Sequence, residues 1–282
     1  MVYEHEIPSG SKLYFGESAK IKREIEFVSA ELLENLGFAE IVTPIFSYHQ
    51  HESFDDKKPL LKLNDEENHE VTLRADSTAD VVRIVTKRLG RSTESKKWFY
   101  IQPTVTFPTQ EQYQIGAEVL DGSFDEVSKT TTMLLTEMGA QPVMQISNIA
   151  IPHLLNEKYG VSLEVLKSMH IEEIMAAKLS WIEQLVRINS VDDLNDLSVF
   201  PADIKEELEK IKDAAKKVDY AKMVISPLYY AKMRYYDSLT FRMFEGNSLL
   251  ARGGIYSIDG VEAAGFALYT DECISNKMNK AK

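Results

Sequence analysis

An acid and a hydroxyl, Asp76 and Thr78, stand two residues apart in the stretch Thr72-Leu73-Arg74-Ala75-Asp76-Ser77-Thr78-Ala79-Asp80-Val81-Val82-Arg83, where a helical pattern begins. A carboxylate so placed can accept from an ammonium. The other candidates for chemistry read more blandly. His49 and His51 share one loop and could face a metal, yet no third ligand of plausible spacing follows, so they read as surface residues. Gly253 and Gly254, with Gly260 and Gly265, lack the strand–GxGxxG–helix setting of a dinucleotide site and read as tight turns in a sheet. There is no Gly-x-Ser-x-Gly elbow. His153, in a candidate helix, reads as a core or cap residue. Cys273 is the only cysteine, so an intrachain disulfide is impossible and a reducing compartment fits. No catalytic residue, metal or cofactor is expected.

The elements that must position Asp76 and Thr78 follow from periodicity. Ile21, Ile25, Val28, Leu32 and Leu36 predict a first helix that ends at Gly37, a residue suited to a left-handed cap. Residues 38–46 read as a strand whose Pro44 cannot donate to a ladder, which places it at a sheet edge or an interface. Residues 55–68 read as an exposed loop, 70–73 as a short strand and 78–89 as a helix. Residues 98–101 and 112–120 are expected to pair as strands across a polar loop at 106–111. A helix at 126–138 and a strand at 141–149 come next. Helices are expected at 151–159, 163–166, 171–187 and 202–220, then strand character from 229 to 243. The charge run from Lys205 to Lys217 is a solvated helix face. No repeat or linker interrupts the chain, so residues 1–282 are expected to form one α/β domain, with residues 150–220 as a helical insertion.

Composition sets the class. A chain of 282 residues with 44% hydrophobic and 27% charged residues can bury a large core. Its net charge of −12 disfavours partners with a phosphate backbone, since they are met by basic surface. Met1-Val2-Tyr3-Glu4-His5-Glu6 lacks the features of a signal peptide, and no apolar run is long enough to span a bilayer. A cytosolic protein of bacterial type is expected.

Several short motifs, in order, resemble the histidyl-tRNA synthetases. The Thr72–Arg83 stretch is similar to their Leu-Arg-Pro-Glu-Gly-Thr segment. The helix, Gly37 and the Pro44 strand resemble motif 1 of class II synthetases, and the strand pair around Gln114 and Glu118 resembles motif 2. Ala231-Lys232-Met233-Arg234-Tyr235-Tyr236-Asp237 resembles the histidine-specific Arg-Gly-Leu-Asp-Tyr-Tyr motif. Arg252-Gly253-Gly254-Ile255-Tyr256-Ser257 matches Gly-Gly-Arg-Tyr-Asp, and Ala263 to Leu268 matches the start of motif 3. The resemblance implies an α+β fold, with an antiparallel sheet flanked by helices, and a dimer built on motif 1. It also implies a histidine-like pocket made by Asp76, Thr78, Gln114, Glu118, Tyr235 and Tyr236. There the acids would hold an ammonium or accept from an imidazole N–H, and the two rings would wall the ligand.

The departures point to a narrower family. Amino-acid activation needs fixed cations to meet charge on the transferring phosphate. Where the synthetases carry arginines, this chain has Thr106, Ala231 and Glu272. Asp76 stands where they carry Glu, one methylene shorter. The chain also stops where a synthetase begins its anticodon-binding domain. It therefore resembles the synthetase-like regulatory subunits of ATP phosphoribosyltransferase, the first enzyme of histidine biosynthesis. That resemblance implies no aminoacylation and no tRNA, a short catalytic subunit as partner, a homodimer, and histidine as the ligand to test. Two alternatives remain: a stand-alone class II paralog with another amino-acid/ATP ligase activity, and a structural partner with a closed, degenerate pocket.

Overall fold

The structure is a computed structural model that describes residues 6–50, 57–231, 233 and 235–280. Helix α1 (Gly16–Asn35) buries Ile21, Ile25, Ser29 and Leu33 and stops at Gly37, whose φ of 81° is left-handed. The expected strand over 38–46 is instead two short pieces in different sheets, β1 (Ala39–Glu40) and β2 (Phe46–Ser47). Arg74 explains the break. Its Nη1 donates to the carbonyls of Thr43 at 2.8 Å and Pro44 at 3.2 Å, so a side chain takes what a neighbouring strand would have taken. Pro44 has no N–H to offer a ladder in any case.

Strands β3 (Lys62–Asn64) and β4 (Glu70–Leu73) join β2 in a small sheet ordered β2-β4-β3. The expected loop over 55–68 lies partly outside the described residues, and its described part contains β3. Helix α2 (Thr78–Arg83) continues as a π-helical turn, Ile84–Leu89. The strands β5 (Lys97–Thr106) and β6 (Gln110–Leu120) run on past their expected ends, leaving a shorter connection between them. Helix α3 (Phe124–Glu137) and strand β7 (Val143–Asn148) follow. Next come α4 (Ala150–Glu157), α5 (Leu163–Ser168), α6 (Ile171–Met175), α7 (Ile182–Arg187) and α8 (Ala202–Val218). The helix expected over 171–187 is thus split, and Lys178 at φ 55° lies in the break. Strands β8 (Met223–Ile225), β9 (Tyr236–Glu245), β10 (Ser248–Ile258) and β11 (Val261–Tyr269) lead into α9 (Thr270–Lys280). Strand structure was expected from 229 and begins at Tyr236; Lys232 and Arg234 lie outside the described residues.

The large sheet has the order β1-β5-β6-β11-β10-β9-β7-β8. Its interior pairs are antiparallel, while the edge pairs β1–β5 and β7–β8 are parallel. Parallel neighbours need a long crossover, and the run from α4 to α8 is the one that joins β7 to β8. Side chains alternate across each strand. Phe99, Ile115, Ala117, Val119, Ala264, Phe266 and Leu268 face the main core, shared with α1, α3, α8 and α9. The intervening residues point to the other face, where α2 packs with Ala79 and Val82 against Tyr236, Tyr256 and Ala263. Among the described residues no helix is long and apolar enough to cross a membrane.

Candidate functional site

On the α2 face, β6 presents Gln114, Gly116 and Glu118 at period two. Glu118 is 1% exposed. Its carboxyl accepts from Tyr100 Oη at 3.2 Å and from Tyr256 Oη, and Thr78 is a further partner. Burial raises its pKa to about 8, against the lowering effect of these donors. Asp76 is also buried and shifted upward by burial; its Oδ2 accepts from Tyr235 Oη at 3.1 Å and its Oδ1 from the Ala79 amide at 3.2 Å. The Tyr235 and Tyr236 rings lie 4.9 Å apart, and Tyr256 stands 5.3 Å from Tyr235. Five of the residues named from sequence, Asp76, Thr78, Glu118, Tyr235 and Tyr236, thus gather in one buried region around Tyr100 and Tyr256.

Two glycines make this packing possible. Gly116 pairs with Tyr100, and a Cβ there would sit 2.2 Å from the Tyr100 hydroxyl. Gly265 pairs with Glu118, and a Cβ there would fall 1.8 Å from Oε2. Gly253, Gly254 and Gly265, expected in turns, are strand residues that permit close approach, while Gly260 does lie in a turn at φ 78°. From the sequence, a glycine inside a strand was the available signal for Tyr100.

Gln50 had no such signal. Its Oε1 accepts from the amides of Ala75 at 2.9 Å and Asp76 at 2.7 Å. Its Nε2 donates to the Asp76 carbonyl at 2.8 Å and to Asp80 Oδ2 at 2.7 Å. One fully buried amide therefore fixes the turn that carries Asp76. Arg74 holds the same turn from behind, donating from Nε and Nη2 to the Pro103 carbonyl at 3.0 and 2.8 Å.

Gln114 belongs to a different environment. Its Nε2 donates to Gln112 Oε1 at 2.9 Å, and it lines a cavity of about 570 Å³. Thr104, Thr106, Arg252 and Glu272 share that wall. Asp271 also lies there, engaged by the Tyr14 hydroxyl and, at 3.0 Å, by the Tyr113 amide. Two of the three positions that lack an arginine, Thr106 and Glu272, thus border one cavity. The third, Ala231, borders a narrow crevice next to Arg252. Opposed charges and amides on one wall suit a small polar ligand, and the volume is in the range of ligand sites.

The family profile described as Histidyl-tRNA synthetase matches residues 15–273. An ATP phosphoribosyltransferase regulatory subunit from Wolinella succinogenes is 47% identical over 277 residues, 97% of this chain and 96% of that one. The chain belongs to the histidyl-tRNA synthetase-like family of ATP phosphoribosyltransferase regulatory subunits. The regulatory subunit from Helicobacter hepaticus is 41% identical, over 97% of this chain and 98% of its own length. Among solved structures, a protein described as an ATP phosphoribosyltransferase regulatory subunit/histidyl-tRNA synthetase from Bacillus halodurans superposes with a TM-score of 0.83. It is 18% identical and covers 98% of this chain and 84% of its own. Histidyl-tRNA synthetase from Nostoc superposes at 0.78 and 12% identity, over 99% of this chain and 77% of its own. These structures share the class II, α+β fold of this regulatory-subunit family, as the motif order implied.

Proposed function

We propose that this chain is a non-catalytic regulatory subunit that assembles with a separate, short ATP phosphoribosyltransferase catalytic subunit in the cytoplasm and reports histidine to it. The observation that carries the reading is the wall of the cavity, which is lined by Thr106 and Glu272, positions where the synthetase resemblance implies arginines. A carboxylate there repels a triphosphate and leaves charge developing on the α-phosphate unmet. The names of the relatives support the partner. The fold would be one core domain, with the α4–α8 run as its helical insertion. Asp76, Thr78, Gln114, Glu118, Tyr235 and Tyr236 would form the amino-acid recess, five of them hydrogen-bonded within the chain and Gln114 alone also lining the large cavity. A subunit that binds histidine differently in two assembled states shifts the balance between them.

A homodimer built on α1 and the Pro44 segment is part of the same reading. Val42, Ile45, Phe46 and Tyr48 are all exposed in that segment, and so is Phe27 on α1. Exposed apolar residues clustered in one region are covered most simply by a second copy of it. Light scattering at micromolar concentration is expected to give a dimer, and a monomer would remove this part.

The main test mixes the chain with the catalytic subunit of the same organism. Stimulated transferase activity, together with no histidine-dependent exchange of pyrophosphate into ATP by the chain alone, is the expected result. Exchange at a synthetase-like rate would overturn it.

A further inference from the structure

The crevice beside Ala231 adjoins the large cavity but differs from it in charge. Tyr229, Tyr236, Thr240, Arg242 and Arg252 border it, and none of the described residues around it is acidic. Thr240 and Arg242 stand two apart on β9 and so point to one face of the sheet. Arg252 on β10 lies directly opposite Arg242 in the antiparallel pairing. Like charges directly opposite each other destabilise a sheet. Asp76 answers part of the Arg252 charge. Arg242 has no such counterpart, since it forms no ion pair with a described residue. Its Nη2 donates to the neutral Gln145 Oε1 at 2.6 Å, and its Cζ lies 3.8 Å from the Tyr229 ring centroid and 4.9 Å from that of Phe244. Burial pulls its pKa down, opposed only by the tyrosines Tyr229 and Tyr269. Two polar atoms are left over. Arg242 Nε and Thr240 Oγ1 are both buried, and neither has a hydrogen-bond partner among the described residues. A buried donor without a partner is costly, and a charged one more so.

Size and charge together select the occupant. The crevice has a volume of about 10 Å³, room for a single water-sized centre. A phosphate or a carboxylate ligand is too large for it. A cation would meet two guanidinium groups. A water molecule would satisfy the orphaned atoms, yet it would leave the charge of Arg242 without an answer. A monatomic anion does both. We propose that the crevice between β9 and β10 binds a small inorganic anion of halide size, chloride in particular, held by Arg242 Nε–H and the Thr240 hydroxyl. Bound there, the ion offsets the repulsion of the cross-strand arginine pair. It also braces Met233 and Arg252, the two residues that the crevice and the large cavity share. The site depends neither on a ligand in the large cavity nor on a partner subunit.

Thermal unfolding of the full chain at fixed ionic strength tests it, with sodium chloride exchanged stepwise for sodium gluconate, whose anion is too large for the crevice. At about ten times its dissociation constant, chloride is expected to raise the melting temperature by roughly 3–5 °C, the shift set by binding to the folded state alone. Thr240→Val keeps the shape and removes one donor, so it should cut that rise by roughly half or more. Arg242→Met should abolish it. Comparing each variant's rise with that of the unmutated chain cancels general salt effects. If nothing occupies the crevice, Thr240→Val is neutral or stabilising in both salts, since it deletes an unpartnered hydroxyl. If water occupies it, Thr240→Val is destabilised equally in both. Either outcome overturns the proposal, and so does a rise of the same size in the unmutated chain and in Thr240→Val. Crystals grown in bromide should show an anomalous peak within hydrogen-bond distance of Arg242 Nε and Thr240 Oγ1. If Arg242→Met fails to fold, Thr240→Val and the bromide peak decide the matter. Bromide in the crevice without any chloride-dependent rise marks an adventitious ion only, and the proposal fails.

Discussion

Glu118 and Gln114 lie four residues apart on one face of β6, yet they belong to two kinds of environment. Around Glu118 both carboxyl oxygens are engaged by tyrosine hydroxyls, glycines remove every spare methyl, and solvent is excluded. Around Gln114 the wall opens onto a cavity in which Arg252 and Glu272 make no hydrogen bond to another described residue. The first region satisfies its polar atoms internally, so it stabilises one conformation. The second leaves them for something outside the chain. A polar residue near a motif is therefore weak evidence of binding until its hydrogen-bond partners are counted.

The comparison is broken most severely at Gly265. Gly265→Ala would drive a methyl into Glu118 Oε2 and to within 2.8 Å of the Ala117 carbonyl. Because the carboxyl is held on both oxygens it cannot swing aside, and the expected loss is about 3 kcal/mol, at the upper end for overpacking. Urea denaturation measures it, and a loss under about 1 kcal/mol would mean that the network is loose. Tyr256→Phe removes one of the hydroxyl donors without adding volume. It should cost about 1–2 kcal/mol and leave ligand affinity in the cavity unchanged.

Glu118→Gln sharpens the contrast through pH. The folded carboxyl has a pKa of about 8 against an ordinary 4.5, so between those values the folded state holds a proton that the unfolded state releases. Its contribution to stability is complete below the unfolded value and declines as pH rises toward 8. Asp76, shifted in the same direction, adds to the decline. The melting temperature should fall between about pH 4.5 and about pH 8, by roughly 2–4 °C for each ~1 kcal/mol lost in a chain of this size. Glu118→Gln keeps an acceptor for the tyrosines and should remove much of that slope. A slope unchanged in the variant would mean that Glu118 is not the titrating group. The smallest stability effect belongs to the open side. Glu272→Gln should change stability by no more than about 0.5 kcal/mol, so any effect of that variant is to be looked for in ligand binding.

Much of the frame was legible in the chain. The apolar spacing of α1, its end at Gly37, the β5–β6 pair and the helical run after β7 all follow from local periodicity. The failures have local causes too. The 38–46 strand breaks because Arg74, thirty residues away in sequence, captures its carbonyls. The glycines of β10 and β11 read as turns because their purpose depends on partners in other strands: Gly253 leaves room for Phe241, Gly254 for Leu239 and Thr240, and Gly265 for Glu118. Gln50 was invisible, since nothing in a lone glutamine says that it will bind the turn at Asp76 on all sides.

By itself the sequence determined the family, through motifs in a fixed order, and it put Thr106, Ala231 and Glu272 where that resemblance implies cations. Identity along a chain is enough to state what residue types are present or missing. Only the tertiary structure decided which polar groups are closed off and which remain open. It put Asp76 and Glu118 among tyrosines, and it left Arg252 and Glu272 on the wall of one cavity. The reason is physical: a hydrogen bond and the exclusion of water are properties of neighbours in space, and β-sheet pairing brings together residues that the sequence holds far apart.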